Sequence, residues 1–172
     1  MIQLKNSSEE EKKKILKKVY ELGFDYEANR GGCAQSVIAA IQDVFDLADD
    51  DIFKSAQCFA AGGALSGCGT CGALNGGMMM ISHCLGRDRK LFSKGESKRE
   101  PLIIAKSLFD RFVNKYGTCI CGDVQKKIMG KSYNLWYEMD EFLKNGGHKD
   151  KCPKVVGITA MWTAEILLDK LR

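Results

Sequence analysis

Apolar residues recur every three or four positions along most of this chain, and the stripes are broken by glycine, proline or short polar runs. Ser8 and Glu11 have the spacing of a capping box, and Ile15, Val19 and Leu22 follow at helical intervals, which predicts an amphipathic helix over 8–29. Gly31 and Gly32 end that register, and a second stripe of Val37, Ile38, Ile41, Val44 and Phe45 opens at Cys33. Asp49, Asp50 and Asp51 would sit at the positive end of a third helix that runs into Cys58 and stops near Gly62. Beyond the glycine-rich GGALSGCGTCG, Thr70 is the expected N-cap of a central helix ending near Gly86. Pro101 suits a first helical position, with Ile104, Leu108, Phe112 and Val113 on one stripe and Gly117 as the stop. A short helix is expected from Cys121. Ser132 is the expected cap of another that carries Leu135, Met139, Phe142 and Leu143 up to Gly146 and Gly147. The last helix should start at Pro153 and be largely buried, since Glu165 is its one charge between Val155 and Leu168. No period-two alternation runs long enough for a strand, so the pattern predicts an all-α, single-domain bundle of about six or seven helices over 1–172.

Charge and composition narrow the function. A chain of 172 residues is long enough to bury roughly 70% of its unfolded surface without disulfides. The net charge of +4 is modest, and bases alternate with acids in EEEKKK, GRDRK and GGHKDK, so no nucleic-acid footprint is expected. Residues 55–86 lack Asp, Glu, Lys and Arg, which raises the question of a membrane span. Seven of the sixteen residues 62–77 are glycine and the dense apolar run 78–81 is short, so a buried core segment is the expectation instead. The start MIQLKNSSEEEKKK has no signal-peptide-like run, which reads as cytoplasmic. In a reducing compartment, eight cysteines point to metal or redox chemistry rather than to structural disulfides.

Four of those cysteines, Cys33, Cys71, Cys121 and Cys152, stand where helices are expected to begin. Free backbone N–H groups and the partial positive charge at a helix start favour thiolate over thiol, so the four are expected to converge in one electropositive site. Cys68-Gly-Thr-Cys71 is a CxxC and Cys119-Ile-Cys121 a CxC. Two such pairs resemble zinc-ligand spacing, which leaves open a zinc-stabilised helical scaffold, although CxC is tighter than usual. Cys68 and Cys71 alternatively suit a metal-free thiol–disulfide oxidoreductase, without the βαβ context that redox motif normally has. Gly72 follows Cys71 where a covalent haem would need His, so no covalent haem is expected. GCGTCG matches GxGxxG formally, but no strand precedes it and the dinucleotide reading fails.

Glycine loops that expose N–H groups suit an anionic cluster of thiolates and sulfides, so iron–sulfur ligation by four cysteines fits the residue types, the helix ends and the loop together. Gly72 and Gly76, four apart on the central helix, clear a face for another helix, a cofactor or a homodimer partner. Asn75 shares the Cys71 face with Met78 and Ser82 and is placed to donate to a cluster sulfur. His83 falls about 120° round the helix from Cys71, and His148 lies in a polar loop, so neither is expected in the site. Cys58 and Cys84 read as small packing residues, and Glu165 as a proton acceptor only if buried.

The run GGCAQSV at Cys33, the glycine-rich lead into Cys71-Gly-Ala-Leu-Asn-Gly76, the YGTCIC ending at Cys121, and Cys152 before a final helix together resemble the C-GCAxxG-C-C family over about 29–171. That resemblance implies a redox-active protein with four characteristic cysteines, related to split-Soret cytochromes c, which pair haem with an iron–sulfur centre. Carried over by position, the four are Cys33, Cys71, Cys121 and Cys152. Cys58, Cys68, Cys84 and Cys119 are additions, of which Cys68 or Cys119 could replace a neighbour as ligand. The expected function is binding of an iron–sulfur cluster or another thiolate-bound metal, with electron transfer to an unidentified redox partner protein.

Overall fold

The structure is a computed structural model that describes residues 8–47 and 50–170. Ser8 caps α1 (Glu9–Arg30) with both halves of the capping box: its hydroxyl accepts from the Glu11 N–H, and the Glu11 carboxylate accepts from the Ser8 N–H at 2.7 Å. α2 (Cys33–Phe45) begins directly after the Gly31–Gly32 turn, as its stripe predicts. The third helix is shorter than expected. α3 spans Asp50–Ser55 and passes into a single 3₁₀ turn over Gln57–Phe59; Asp49, expected to start it, lies outside the described residues.

The central helix α4 (Gly72–Leu85) has Cys71, not Thr70, at its N-cap position. Thr70 is drawn away by backbone pairing with Ile120, an isolated antiparallel bridge. A short helix that no apolar stripe marks, α5 (Arg89–Ser93), forms where the Asp88 carboxylate accepts from the Leu91 N–H at 2.7 Å. α6 (Glu100–Tyr116) has Pro101 in its first turn and ends at left-handed Gly117. α7 (Cys121–Met129) starts at Cys121 as expected. Ser132 caps nothing. Asn134 instead organises a turn, its side chain accepting from the Trp136 N–H at 3.1 Å, and α8 (Met139–Lys144) starts six residues later than a Ser132 cap would place it. A π-helical turn over Gly147–Lys151 leads without a break into α9 (Cys152–Lys170).

The described residues thus form nine α-helices and no strand, an all-α fold with more pieces than the six or seven expected, because local caps and turns cut the polar stretches into short helices. α9 is the hub, packing on α1, α2, α4 and α6. Its buried Thr159 and Thr163 satisfy their hydroxyls by donating to the carbonyls of Val155 and Thr159, at 2.7 and 2.8 Å. Around α9 lies a large apolar cluster including Val19, Ile38, Ile41, Leu74, Met80, Leu108, Phe112 and Leu167. A second, smaller cluster gathers Ala61, Cys121, Tyr133, Leu135 and Phe142. No helix among the described residues is long and apolar enough to cross a membrane.

Candidate functional site

Cys33, Cys71, Cys121 and Cys152 line one cavity of about 450 Å³ between the two apolar clusters. Cys33 opens α2, Cys71 is the N-cap of α4 and Cys121 opens α7, while Cys152 is the first residue of α9 where that helix continues out of the π turn. Cys71 and Cys121 are brought together by main-chain pairing. The Cys71 N–H donates to the Cys119 carbonyl at 2.8 Å, and the Cys121 N–H donates to the Gly69 carbonyl at 2.9 Å. Cys68 and Cys119 do not line the cavity, and Cys68 is exposed with its sulfur against the Ser66 carbonyl at 3.4 Å. Cys58, expected as a packing residue, is exposed as well, whereas Cys84 packs partly buried against the large cluster.

The two helix glycines work inside the chain. A Cβ on Gly72 would fall 2.3 Å from Cys33 Sγ and 2.7 Å from the Phe59 carbonyl, and one on Gly76 would fall 2.4 Å from the Ala34 carbonyl. They let α4 approach the start of α2 closely enough for Cys33 and Cys71 to share the cavity, and the face they clear is filled by α2 rather than by a second subunit or a cofactor. Asn75 does not reach a sulfur. Its amide donates to the Thr70 carbonyl at 3.3 Å, and with Met78, Ser82 and His83 it borders a separate surface hollow. The reason is the capping geometry of Cys71: its sulfur turns back over the start of α4 while Asn75, one turn on, faces outward beside Phe59.

A wall of the cavity is built from unusual backbone. Ala61, Gly62, Gly63, Ala64 and Leu65 are consecutive left-handed residues, with φ of 48°, 80°, 86°, 46° and 62°. For Ala and Leu that conformation costs about 1–2 kcal/mol each. It is held by the Ala64 N–H on the Cys58 carbonyl at 2.8 Å, the Gly67 N–H on the Ala61 carbonyl at 2.8 Å, and the Trp136 indole N–H on the Ala64 carbonyl at 2.8 Å. The turn aims the Ala61 N–H at Cys33 Sγ, 3.5 Å away.

The electrostatics depart from the electropositive pocket expected of four helix starts. Burial pushes the thiols up: Cys71 and Cys121 to about 12, and Cys33 and Cys152 well above the usual thiol range. Mutual repulsion adds to it, Cys71 feeling Cys121, Cys121 feeling Cys33, and Cys152 feeling Glu27 and the other three. Opposing N–H groups from Ala34 and Ala61 at Cys33, from Ala73 and Leu74 at Cys71, and from Gln125 at Cys121 lower the values without overcoming burial. Helix-start N–H groups contribute at Cys33 and Cys71, and desolvation outweighs them.

Three polar residues of the cavity wall were not legible as site residues. Glu27, 3% exposed, has its carboxyl pushed up to about 8 by burial, opposed by the Ser36 hydroxyl at 3.5 Å. Its signal was position: residue 27 continues the buried α1 stripe of Val19, Gly23 and Tyr26. His148, read as part of a polar loop, lines the cavity with Nδ1 at 2.8 Å from the Glu27 carbonyl and 3.8 Å from a Glu27 carboxylate oxygen. The π turn carries it inward. Gln125 is 2% exposed and contacts Cys121. Glu165 lies away from the cavity, paired at the surface with Arg111 of α6.

Among the described residues, no three His, Cys, Asp or Glu side chains are arranged to hold a single metal ion. The cavity is a four-sulfur chamber walled by Ala60, Leu65, Val124, Leu135, Phe142 and Val156. Neither a curated protein nor a solved structure matches the chain. The sequence model of the family described as "Putative redox-active protein (C_GCAxxG_C_C)" matches residues 32–166, a stretch that contains all four cavity cysteines and most of the fold, and the chain belongs to that family.

Proposed function

We propose that the cavity is a redox centre in which Cys33, Cys71, Cys121 and Cys152 together hold an iron–sulfur cluster, and that the protein exchanges electrons with a partner protein through it. The observation that carries this reading is the convergence of four cysteines, from four helix starts spread over the chain, on one chamber. Thiolate donors are the chemistry such clusters require. The chamber, about 450 Å³, has space for a group of several atoms, whereas a lone zinc ion needs its four thiolates about 2.3 Å from one centre. The CxxC exchange reading has less support, because Cys68 faces solvent while Cys71 faces the cavity.

When bound, the cluster would supply reversible one-electron transfer. The chain supplies the rest. Apolar walls limit water, N–H groups of Ala34, Ala61, Ala73, Leu74 and Gln125 oppose the negative charge on sulfur, and the buried thiols release protons as they ligate. Anaerobic purification with iron and sulfide analysis and a visible spectrum tests the proposal. Charge-transfer bands that disappear in Cys33→Ala, Cys71→Ala, Cys121→Ala and Cys152→Ala, but persist in Cys68→Ala and Cys119→Ala, are expected. Absence of iron, sulfide and such bands after reconstitution would overturn it.

A further inference from the structure

The side chain of Gln125 is fixed at both ends. Its Oε1 accepts from the Tyr133 backbone N–H at 2.8 Å, and its Nε2 lies 3.6 Å from Cys121 Sγ. A backbone N–H can only donate, so the carbonyl end of the amide must face Tyr133 and the NH₂ end must face the sulfur. The orientation is thus set by the network rather than chosen. Gln125 stands four residues after Cys121, one turn along α7 and on the same face, which keeps donor and sulfur together whenever that helix is formed. It is also buried, so water does not compete for the contact.

Among the four cavity cysteines this arrangement is particular to Cys121. Cys33 and Cys71 receive backbone N–H groups, which no substitution of a side chain removes, and Cys152 is surrounded by burial and like charge. An N–H donor does little for a neutral thiol and much for a sulfur that carries negative charge. Its effect therefore grows as electron density on the sulfur grows.

We infer that Gln125 is a positioning residue whose amide NH₂, oriented by the Tyr133 N–H, donates a hydrogen bond to Cys121 Sγ that strengthens as negative charge builds on that sulfur, raising the reduction potential of a group bound there. The inference deepens the proposed redox-centre reading and rests on it for the potential, but not for the reactivity of the sulfur in metal-free protein.

Gln125→Met is the discriminating variant, filling the space with neither donor nor acceptor. Gln125→Glu is its control: below about pH 8, the value to which burial pushes the Glu27 carboxyl, its buried carboxyl keeps a proton and can accept from the Tyr133 N–H while donating to sulfur. The first measurement is the alkylation rate of each cysteine in metal-free, reduced protein at one fixed pH in that range, resolved by mass spectrometry. The expected result in Gln125→Met is about a tenfold change at Cys121, the size of one lost charge-assisted hydrogen bond, with Cys33, Cys71 and Cys152 changed no more than about twofold. Gln125→Glu should keep Cys121 within about twofold of the wild-type rate. Unchanged alkylation of Cys121 in Gln125→Met, or parallel changes at all four cysteines, would overturn the inference. In reconstituted protein the midpoint potential should fall in Gln125→Met. If reconstitution yields no cluster, the redox-centre proposal fails while the alkylation pattern still decides the role of Gln125.

Discussion

The bundle around α9 and the wall of the cavity are held by different physics. In the bundle, long amphipathic helices bury Leu74, Leu108, Phe112, Leu167 and their neighbours, and order comes from apolar area removed from water. In the wall, 57–69 and 117–151 are short helices and turns. Their order comes from main-chain and side-chain hydrogen bonds such as Gly69 N–H to the Gly62 carbonyl at 2.9 Å and Trp136 to Ala64. The bundle tolerates no added volume at its helix crossings, while the wall contains left-handed Ala and Leu that would relax if released. The four sulfurs occupy the boundary. Cys33 and Cys71 pack on the large cluster, Cys121 and Cys152 on the small one, so the site depends on a rigid half and a strained half meeting.

Overfilling the bundle should have the largest effect. Gly76→Leu would drive a side chain into the Ala34 backbone and is expected to cost about 3 kcal/mol or more, roughly 10 °C in Tm. A thermal melt within 2 °C of wild type, as an approximate margin on the same scale, would show that α2 and α4 separate more easily than their contact implies.

Next in size is the carboxyl buried at the seam. Glu27 has a folded pKa of about 8 against 4.5 for the ordinary group, so between these values the folded state holds a proton that the unfolded state has lost. The unfolded chain binds fewer protons there, and stability must fall as pH rises from about 4.5 to about 8, by up to about 1.4 kcal/mol per pH unit from this group. Ser36 and His148 face the carboxyl from α2 and the π turn, and the cavity thiols remain protonated across that window. Denaturant melts of Glu27→Gln should show that slope removed. Parallel pH curves for the two proteins would refute it.

A smaller effect tests the wall alone. Trp136→Phe keeps an aromatic side chain and removes the indole N–H from the Ala64 carbonyl, and should speed alkylation of the cavity thiols by up to about fivefold, the worth of one hydrogen bond. Exposed Cys58 and Cys68 serve as internal standards whose rates stay constant. The smallest change is a gain. Ala64 is exposed at φ 46°, so Ala64→Gly should raise Tm by about 1–3 °C, where the same replacement at buried Ala40 in α2 should lower it.

The same division explains what could be read from sequence. α1, α2 and α6 were legible because their signals are local: the Ser8 box, the stripe from Cys33, and Pro101 and Gly117 at the two ends. The four helix-start cysteines were legible for the same reason. Glu27, His148 and Gln125 were not, because each is made a cavity residue by a partner distant in sequence or by a turn that no periodicity marks; His148 meets the Glu27 carbonyl across 121 positions. Asn75 lies off the cavity because helical spacing fixes which residues share a face but not which way the capping sulfur turns. The thiols are harder to ionise than the sequence predicts because helix-start N–H groups are visible in a sequence, while the depth of the cavity that opposes them is not.

The bridge between Thr70 and Ile120 has a practical corollary. It clasps the two ends of a long excursion, so the spacing of Cys71 and Cys121 is set at the neck and is independent of the length of the exposed segment 86–99 far along the loop. That segment is accordingly a permissive insertion point, where a fluorescent reporter or purification tag can be spliced into the middle of the chain while the sulfur geometry is left as it is.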